Sequence, residues 1–291
     1  MIIPTKKLKS GFEMPVYGLG TWQMGGRFNR DINNDDEADI KAIKTAIELG
    51  ITHLDTAEVY AEGFAEVLLG KAIAGYDRSK LFLSSKVYTQ IHAKYDDVII
   101  ACKDSLKRLN TSYLDLYLTH RQNPPDISYK ETMKAMDTLV DEGLVNNIGF
   151  CNYRISDIQE AQSYAKHKMV AAQMHYNLKI REVEKKKILN YCQKNDIMFI
   201  AWRPIQQGAM VNNLPKIVQE IMKKYNKTAS QIAINWLISQ ENVVTLSKTR
   251  NVQHLKDNLG AIGWSMKKED IEKLRKEYPD QQNMSDSVPL E

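Results

Sequence analysis

Short apolar runs alternate with amphipathic stretches along most of the chain. VYGLGTW (16–22) leads into DDEADIKAIKTAIELG, where Ile40, Ile43 and Ile47 recur at helical spacing on one face. Asn34 with Glu37 three residues on has the form of a capping box for this helix, and Gly50 closes it. THLDTA (52–57), LFLSSKV (81–87), YLDLYLTH (113–120), VNNIGFCN (145–152), VAAQMHY (170–176), IMFIAW (197–202) and VVTLSK (243–248) follow, each separated from the next by a helical segment. One of these helices runs from about Tyr95 to Leu109. In IIPTKKLKSGFEMP (2–15) a Ser10-Gly11 turn makes a separate hairpin, and 213–226 supplies an extra helix before one starting near Thr228.

Eight strands separated by helices predict a parallel sheet with helical crossovers. With no break in composition, the units are expected to close into an α/β (β/α)8 TIM barrel with an N-terminal β-hairpin, one domain over residues 1–291. A doubly wound nucleotide-binding fold is the alternative. It requires GxGxxG between its first strand and helix, and GLGTWQ (18–23) lacks the last glycine. YDRSK (76–80) has the Tyr-x-x-x-Lys spacing of short-chain dehydrogenases, but its turn-like context before a strand marks it as chance.

With 291 residues, 43% hydrophobic and 26% charged, the chain has the composition of a soluble globular protein. A formal charge of +4 gives weak support to an anionic ligand and none to nucleic acid, because no five-residue basic block occurs. The N-terminus has no secretory pattern and no run reaches the roughly 18 apolar residues of a membrane helix. Cys102, Cys151 and Cys192 are odd in number without CxxC spacing, which implies reduced thiols in the cytoplasm, no disulfide framework and no metal site.

In a barrel of this kind the chemistry gathers at the C-terminal ends of the strands. Those ends read Trp22, Asp55, Lys86, His120, Asn152, Tyr176, Trp202 and Lys248. Singly, each has a plain explanation: Asp as the cap of the next helix, Lys as a solvated terminus, His120 as a core histidine, Gln173 as a partner for nearby backbone. Together they hold an acid, a base, an imidazole and an amide, with the Tyr60 phenol just beyond Asp55.

GLGTW, LDTAEVY followed by Glu66, SSKV, YLDLYLTH, IGFCN, AWRPIQQG and SKTRNVQHLKDNL resemble, in order and spacing over roughly residues 8 to 262, the aldo-keto reductase family. The resemblance implies the barrel fold and NAD(P)H-dependent reduction of aldehydes and ketones, with Asp55, Tyr60, Lys86 and His120 as the catalytic tetrad. Glu62 is expected to be merely solvated. The physical logic stands apart from the likeness. Hydride arriving at a carbonyl carbon leaves negative charge on oxygen that must be stabilised and protonated. A phenol with a pKa near 10 is a reluctant acid, and an adjacent Lys86 ammonium favours its phenolate. Asp55 keeps that ammonium from being buried alone. His120 can hydrogen-bond the carbonyl oxygen.

By the same resemblance, Gly20, Thr21 and Trp22 line the cofactor and Asn152 and Gln173 hold the nicotinamide carboxamide. Trp202 takes the place of a ring-stacking tyrosine, Arg203 stands where a common serine contacts the pyrophosphate, and Pro204 and Ile205 also line the cofactor. Lys248, Thr249 and Arg250 face the adenosine 2′-phosphate, and Asp257 and Asn258 the adenine. Two cations beside a helix start make a phosphate site, so NADP(H) is preferred over NAD(H). This chain departs from the family pattern in Cys151 for a serine, Arg203 for a serine, Ser247 for a proline and His254 where some members carry arginine. Trp22, Tyr88, His120 and Arg121 are the substrate-facing candidates. Arg121, which either is solvated, pairs with Asp126 or meets substrate, points with the short polar tail after Tyr278 to small, polar or anionic carbonyl compounds. Two other readings are an NADPH-binding sensing subunit, like a potassium-channel β-subunit, and a metal-dependent hydrolase, for which His/Asp ligands are too few. Oligomeric state and physiological substrate are not fixed by the sequence.

Overall fold

The computed structural model describes residues 2–208 and 210–290. Strands β1 (Thr5–Lys7) and β2 (Glu13–Pro15) form the antiparallel hairpin, in register Thr5 with Pro15 and Lys7 with Glu13. The turn between them contains Gly11 at φ 99°, the left-handed region where a side chain is strained. Eight further strands are parallel: β3 (Tyr17–Gly20), β4 (His53–Asp55), β5 (Phe82–Val87) and β6 (Leu116–Thr119), then β7 (Ile148–Cys151), β8 (Met169–His175), β9 (Met198–Trp202) and β10 (Val243–Ser247). Their hydrogen bonding closes in the order β10-β3-β4-β5-β6-β7-β8-β9, the (β/α)8 barrel that the alternation predicts. These strands are almost wholly buried, and accordingly read as near-continuous apolar runs rather than alternating ones.

The chain groups into two compact units, residues Gly18–Ala172 and residues Ile2–Tyr17 with those from Gln173 onward. The first carries helices α1 (Asp36–Glu48), α2 (Phe64–Ile73), α3 (Tyr95–Leu109), α4 (Tyr129–Asp141) and α5 (Ile155–Tyr164). The second carries α6 (Glu182–Lys185), α7 (Ile188–Lys194), α8 (Lys216–Tyr225), α9 (Ala229–Ile238), α10 (Val252–Leu259) and α11 (Lys268–Glu277). Helix α3 has the expected limits and stops at Asn110, which adopts φ 52° as a left-handed cap. Helix α8 is the extra helix, and Thr228 caps α9 in a capping box with Gln231.

Helix α1 differs from expectation in two details. Its cap is Asp35, whose carboxylate accepts from the Ala38 N–H at 3.0 Å, not Asn34. The Asn34 amide instead donates to Asp36 at 2.7 Å and to Asp39 at 2.8 Å. Its buried stripe is Asp39, Ala42, Ile43 and Ala46, with Ile40 and Ile47 only half-buried. A buried Asp39 is tolerable because its carboxylate also accepts from the Gly25 N–H at 3.0 Å. The buried face is thus centred on Asp39, Ala42, Ile43 and Ala46 and includes only one of the three isoleucines.

Register places the chemistry in the first unit. Asp55 lies opposite Ser84, and His53 opposite Gly18 and Phe82. Gly18 is required there, because a Cβ would stand 2.4 Å from Nδ1 of the His53 ring. Among the described residues no helix is long and apolar enough to cross a membrane.

Candidate active site

Strand β4 ends on Asp55, and the chain then turns sharply. Ala61, Glu62 and Gly63 take three successive left-handed conformations, φ 50°, 56° and 85°. Two hydrogen bonds hold this unusual turn, Ala61 N–H to the Arg27 carbonyl at 2.7 Å and Glu62 N–H to that of Phe28 at 2.9 Å. Glu62 is exposed, as expected, but not merely solvated: its carboxylate accepts from the Arg30 N–H at 3.1 Å and ties the loop together. The turn sets Tyr60, at its start, back toward the strand ends.

There the Lys86 ammonium, with no exposed side-chain surface, donates to Asp55 Oδ1 at 2.7 Å and to the Thr56 carbonyl at 2.6 Å. The Tyr60 hydroxyl lies 3.5 Å from the same nitrogen. Rings surround the phenol: Trp22 meets it edge-on at 4.9 Å between centroids and His120 at 5.6 Å. Tyr88 packs on the other side of His120 at 5.9 Å. Asn152, at φ 58°, donates its amide to the His120 carbonyl at 3.3 Å, and its own carbonyl accepts from Gln122 at 2.6 Å. Asp55, Tyr60, Lys86, His120, Trp22, Tyr88 and Asn152 are therefore brought together. Cys151 is buried beside them, and Gly20 and Thr21 are buried at the end of β3.

Burial and charge act against each other on these groups. For Tyr60, burial pushes the phenol up to about 12 and the Lys86 ammonium only partly offsets it. The expected acidifying influence of Lys86 is thus present in sign, but desolvation exceeds it. For Lys86, burial alone would depress the ammonium, but Asp55 and Tyr60 outweigh it and the net direction is upward. His120 is held well below the usual imidazole range by burial, then by Lys86 and Arg121. At neutral pH the cluster holds a protonated phenol, a charged ammonium and a neutral imidazole. Two of its polar atoms, Thr21 Oγ1 and His120 Nδ1, are buried with no hydrogen-bond partner among the described residues. Orphaned atoms of this kind mark a place for a polar ligand.

Arg121 follows His120 half-buried, and among the described residues its guanidinium makes no ion pair, with Asp126 or any other carboxylate. Two residues absent from the sequence reading also stand behind the tetrad. His53 Nε2 lies 3.2 Å from Ser84 Oγ, which donates to Asp55 Oδ2 at 2.8 Å. The signal was available: His53 and Asp55, like Ser84 and Lys86, are two apart on a strand and so face the same side.

The second unit carries the other candidates. Gln173 is buried on β8, and the Trp202 indole stacks flat on His175, 4.1 Å apart and inclined by 11°. Arg203 sits at φ 56° in the turn that continues through buried Pro204 and half-buried Ile205, 3.5 Å from Asp286 of the tail. Gln206 donates to Asp286 at 2.6 Å and meets His175 at 2.9 Å, while Ser285 meets the other His175 nitrogen at 2.7 Å. The tail is thereby fastened at a place its sequence did not reveal. Lys248 and Thr249 are half-buried and Arg250 exposed ahead of α10. Asn251 caps this helix through the N–H groups of Gln253 and His254, at 2.8 and 3.2 Å. Cationic side chains beside a helix start suit a phosphate. Asp257 and Asn258 have internal duties as well. Asp257 accepts from Thr228 at 3.1 Å, and the Asn258 amide donates to Tyr17 and Ser247, each at 3.1 Å. Among the described residues no three His, Cys, Asp or Glu side chains are grouped to hold a metal.

Residues 17–278 match the model of the Aldo/keto reductase family, and the chain belongs to that family. Methylglyoxal reductase YeaE of Escherichia coli is 35% identical over 270 residues, covering 91% of this chain and 92% of that protein. The glyoxal reductase of Bacillus subtilis is 31% identical, over 93% of this chain and 91% of its own. A thermostable aldo-keto reductase solved with the inhibitor epalrestat superposes with a TM-score of 0.89 at 37% identity, covering 94% of this chain and 99% of that one. An aldo-keto reductase of Klebsiella pneumoniae in complex with NADPH gives 0.84 at 31% identity, with 97% of each chain covered.

The buried imidazoles make stability depend on acid. Burial holds His53 and His175 down to about 4 and lowers His120 as well. Their folded pKa values lie below the unfolded value near 6.5, so their contribution is complete above that pH and is lost as pH falls through the folded values. Urea unfolding is expected to show stability declining from pH 6.5 to 5, by up to about 1.4 kcal/mol per pH unit for each such group. A flat profile over that interval would contradict the neutral, buried state of these rings.

Proposed function

We propose that this chain reduces small aldehydes and ketones with NADPH, and that Tyr60 supplies the proton. The observation that carries this reading is the fully buried Lys86 ammonium, 2.7 Å from Asp55 and 3.5 Å from the Tyr60 hydroxyl. When bound, the reduced nicotinamide supplies a hydride to the carbonyl carbon. The Tyr60 O–H then donates to the oxygen as negative charge gathers there, and the remaining phenolate is stabilised by Lys86. Asp55 and the Thr56 carbonyl hold the ammonium still, so that stabilisation requires little reorganisation as charge develops. His120, neutral and with Nδ1 unpartnered among the described residues, has hydrogen-bonding capacity to orient the carbonyl oxygen. A phenol raised to about 12 stays protonated through the physiological range and releases its proton only in response to charge on the substrate.

The residues present fit a nicotinamide dinucleotide. In the first unit we assign Gly20, the orphaned Thr21 hydroxyl, Trp22, Cys151 and Asn152 to it. In the second we assign Gln173, Trp202, Arg203, Pro204 and Ile205, then Lys248, Thr249, Arg250 and His254, with Asp257 and Asn258. Trp202 is a flat ring already stacked at 4.1 Å on His175, and so is held in a fixed plane. The two cationic side chains ahead of α10, Lys248 and Arg250, support NADP(H) over NAD(H). Arg121, half-buried and without an ion pair among the described residues, is assigned to the substrate together with Tyr88 and Trp22. A relative named glyoxal reductase and another named methylglyoxal reductase support small carbonyl compounds as the class.

Three outcomes follow. Tyr60→Phe should keep NADPH binding, read by tryptophan fluorescence, and lose about 10²–10⁴-fold in turnover of an aldehyde panel; parental rates in this variant would remove Tyr60 from the chemistry. Arg250→Ala should weaken NADPH by about tenfold and leave NADH nearly unchanged, whereas equal losses for both would refute a 2′-phosphate contact. In a kinetic survey, short polar or anionic aldehydes should exceed bulky apolar ketones in kcat/KM, with Arg121→Met narrowing the gap; the reverse ranking would dismiss the assignment of Arg121.

A further inference from the structure

We propose that Ser84 is a positioning residue for the reduction, its hydroxyl aimed by the Nε2–H tautomer of His53 so that it fixes the Asp55 carboxylate that holds Lys86. The inference rests on the reading that Tyr60, Lys86 and Asp55 carry the chemistry, and extends it one layer toward the barrel interior.

Donor arithmetic makes the assignment. Asp55 presents two oxygens. Oδ1 accepts from Lys86 at 2.7 Å, and Oδ2 accepts from Ser84 at 2.8 Å. The serine hydroxyl has a single hydrogen, and a carboxylate can only accept it. His53 Nε2, 3.2 Å from Ser84 Oγ, therefore cannot be receiving that hydrogen and must donate its own. A neutral imidazole carries one N–H, so Nδ1 is bare. The environment agrees. Nδ1 is buried with no partner among the described residues, and it packs where Gly18 lacks a Cβ. The His53 ring is itself held, edge-on against Phe82 at 5.3 Å. Donation thus runs His53 to Ser84 to Asp55, and from Lys86 to the same carboxylate.

The geometry explains why this matters for a lysine that must stay within reach of a phenol. With both oxygens engaged along different directions, the Asp55 carboxylate plane cannot rotate, and the ammonium bound to one oxygen inherits that orientation. Without Ser84, Oδ2 would be a buried acceptor short of one partner, and the carboxylate would turn to share Oδ1 and Oδ2 between remaining donors. Lys86 would then keep the Thr56 carbonyl as its one fixed partner and lose the direction that Asp55 gives it. The Tyr60 contact is already long at 3.5 Å, so it has little tolerance for such a shift. Side chains that face Lys86 from elsewhere, Tyr60 and Cys151, offer it no comparable anchor. All four members of the chain are buried, at 3% exposure or less, which keeps water from substituting for the serine.

The test has one arm independent of turnover. Nitrogen-15 NMR of the histidines in the whole chain should show His53 protonated at Nε2 and bare at Nδ1, and Ser84→Ala should shift this ring toward the other tautomer or a mixture. An Nδ1–H ring in the parent, or a ring that ignores the substitution, would overturn the inference even if the protein proves to have no reductase activity. The second arm is kinetic. Ser84→Ala should lower kcat about tenfold with KM changed less than about twofold, the size expected for losing one hydrogen bond to a charged group. Ser84→Thr, which retains the hydroxyl, should restore most of it. Unchanged kcat in a folded Ser84→Ala, a loss confined to KM, or a Thr variant no better than Ala would each reject the positioning role. If the parent reduces no carbonyl compound while His53 has the stated tautomer, the proposed activity fails and the donor chain stands.

Discussion

An ammonium group taken out of water is the constraint around which this molecule is organised. Isolated in an interior it would either cost several kcal/mol or give up its proton. Lys86 keeps its charge because Asp55 and the Thr56 carbonyl lie 2.7 and 2.6 Å away. That contact exists only while β4 and β5 stay in register, Asp55 opposite Ser84 and Lys86 two residues on. A slip by one residue would turn every side chain of the strand to its other face. The register of the sheet and the electrostatics of the site are therefore one requirement at two length scales.

The same dry surroundings set several protonation states at once. Burial disfavours whichever form is charged. It holds the phenol of Tyr60 and the imidazoles of His53 and His120 neutral, while Asp55 exempts Lys86 alone. The result is a proton donor beside a fixed positive charge, with neutral hydrogen-bonding rings around it. Such an arrangement is suited to meeting negative charge that appears on a substrate oxygen. Membership of the Aldo/keto reductase family accords with this chemistry.

Much of this was legible in the amino-acid order. The eight apolar runs, their spacing and the polar residues at their ends define the barrel and the cluster at its strand termini, because strand and helix periods are local properties. The cap of the first helix falls on Asp35 and not Asn34 because two adjacent residues can both cap a helix, and Asn34 is drawn to Asp39, a carboxylate also held by the more distant Gly25 N–H. The fastening of Arg203 and Gln206 to Asp286 was invisible for the same reason. Nothing in a polar tail announces which turn it will lie against. Ser84 and His53 are the opposite case. Their two-residue offsets from Lys86 and Asp55 put them on the same face as that ion pair, and only their plain chemistry hid them.

Titration of the Lys86 side chain in the intact protein, by NMR detection of its labelled terminal nitrogen, is the most direct test of this charge. The group should remain an ammonium through and beyond the ordinary lysine range near 10.4, with Tyr60 still protonated when free tyrosine has ionised. A Lys86 that becomes a neutral amine at or only slightly above neutral pH would mean that desolvation prevails over Asp55, and the proposed chemistry would lose the charge on which it turns.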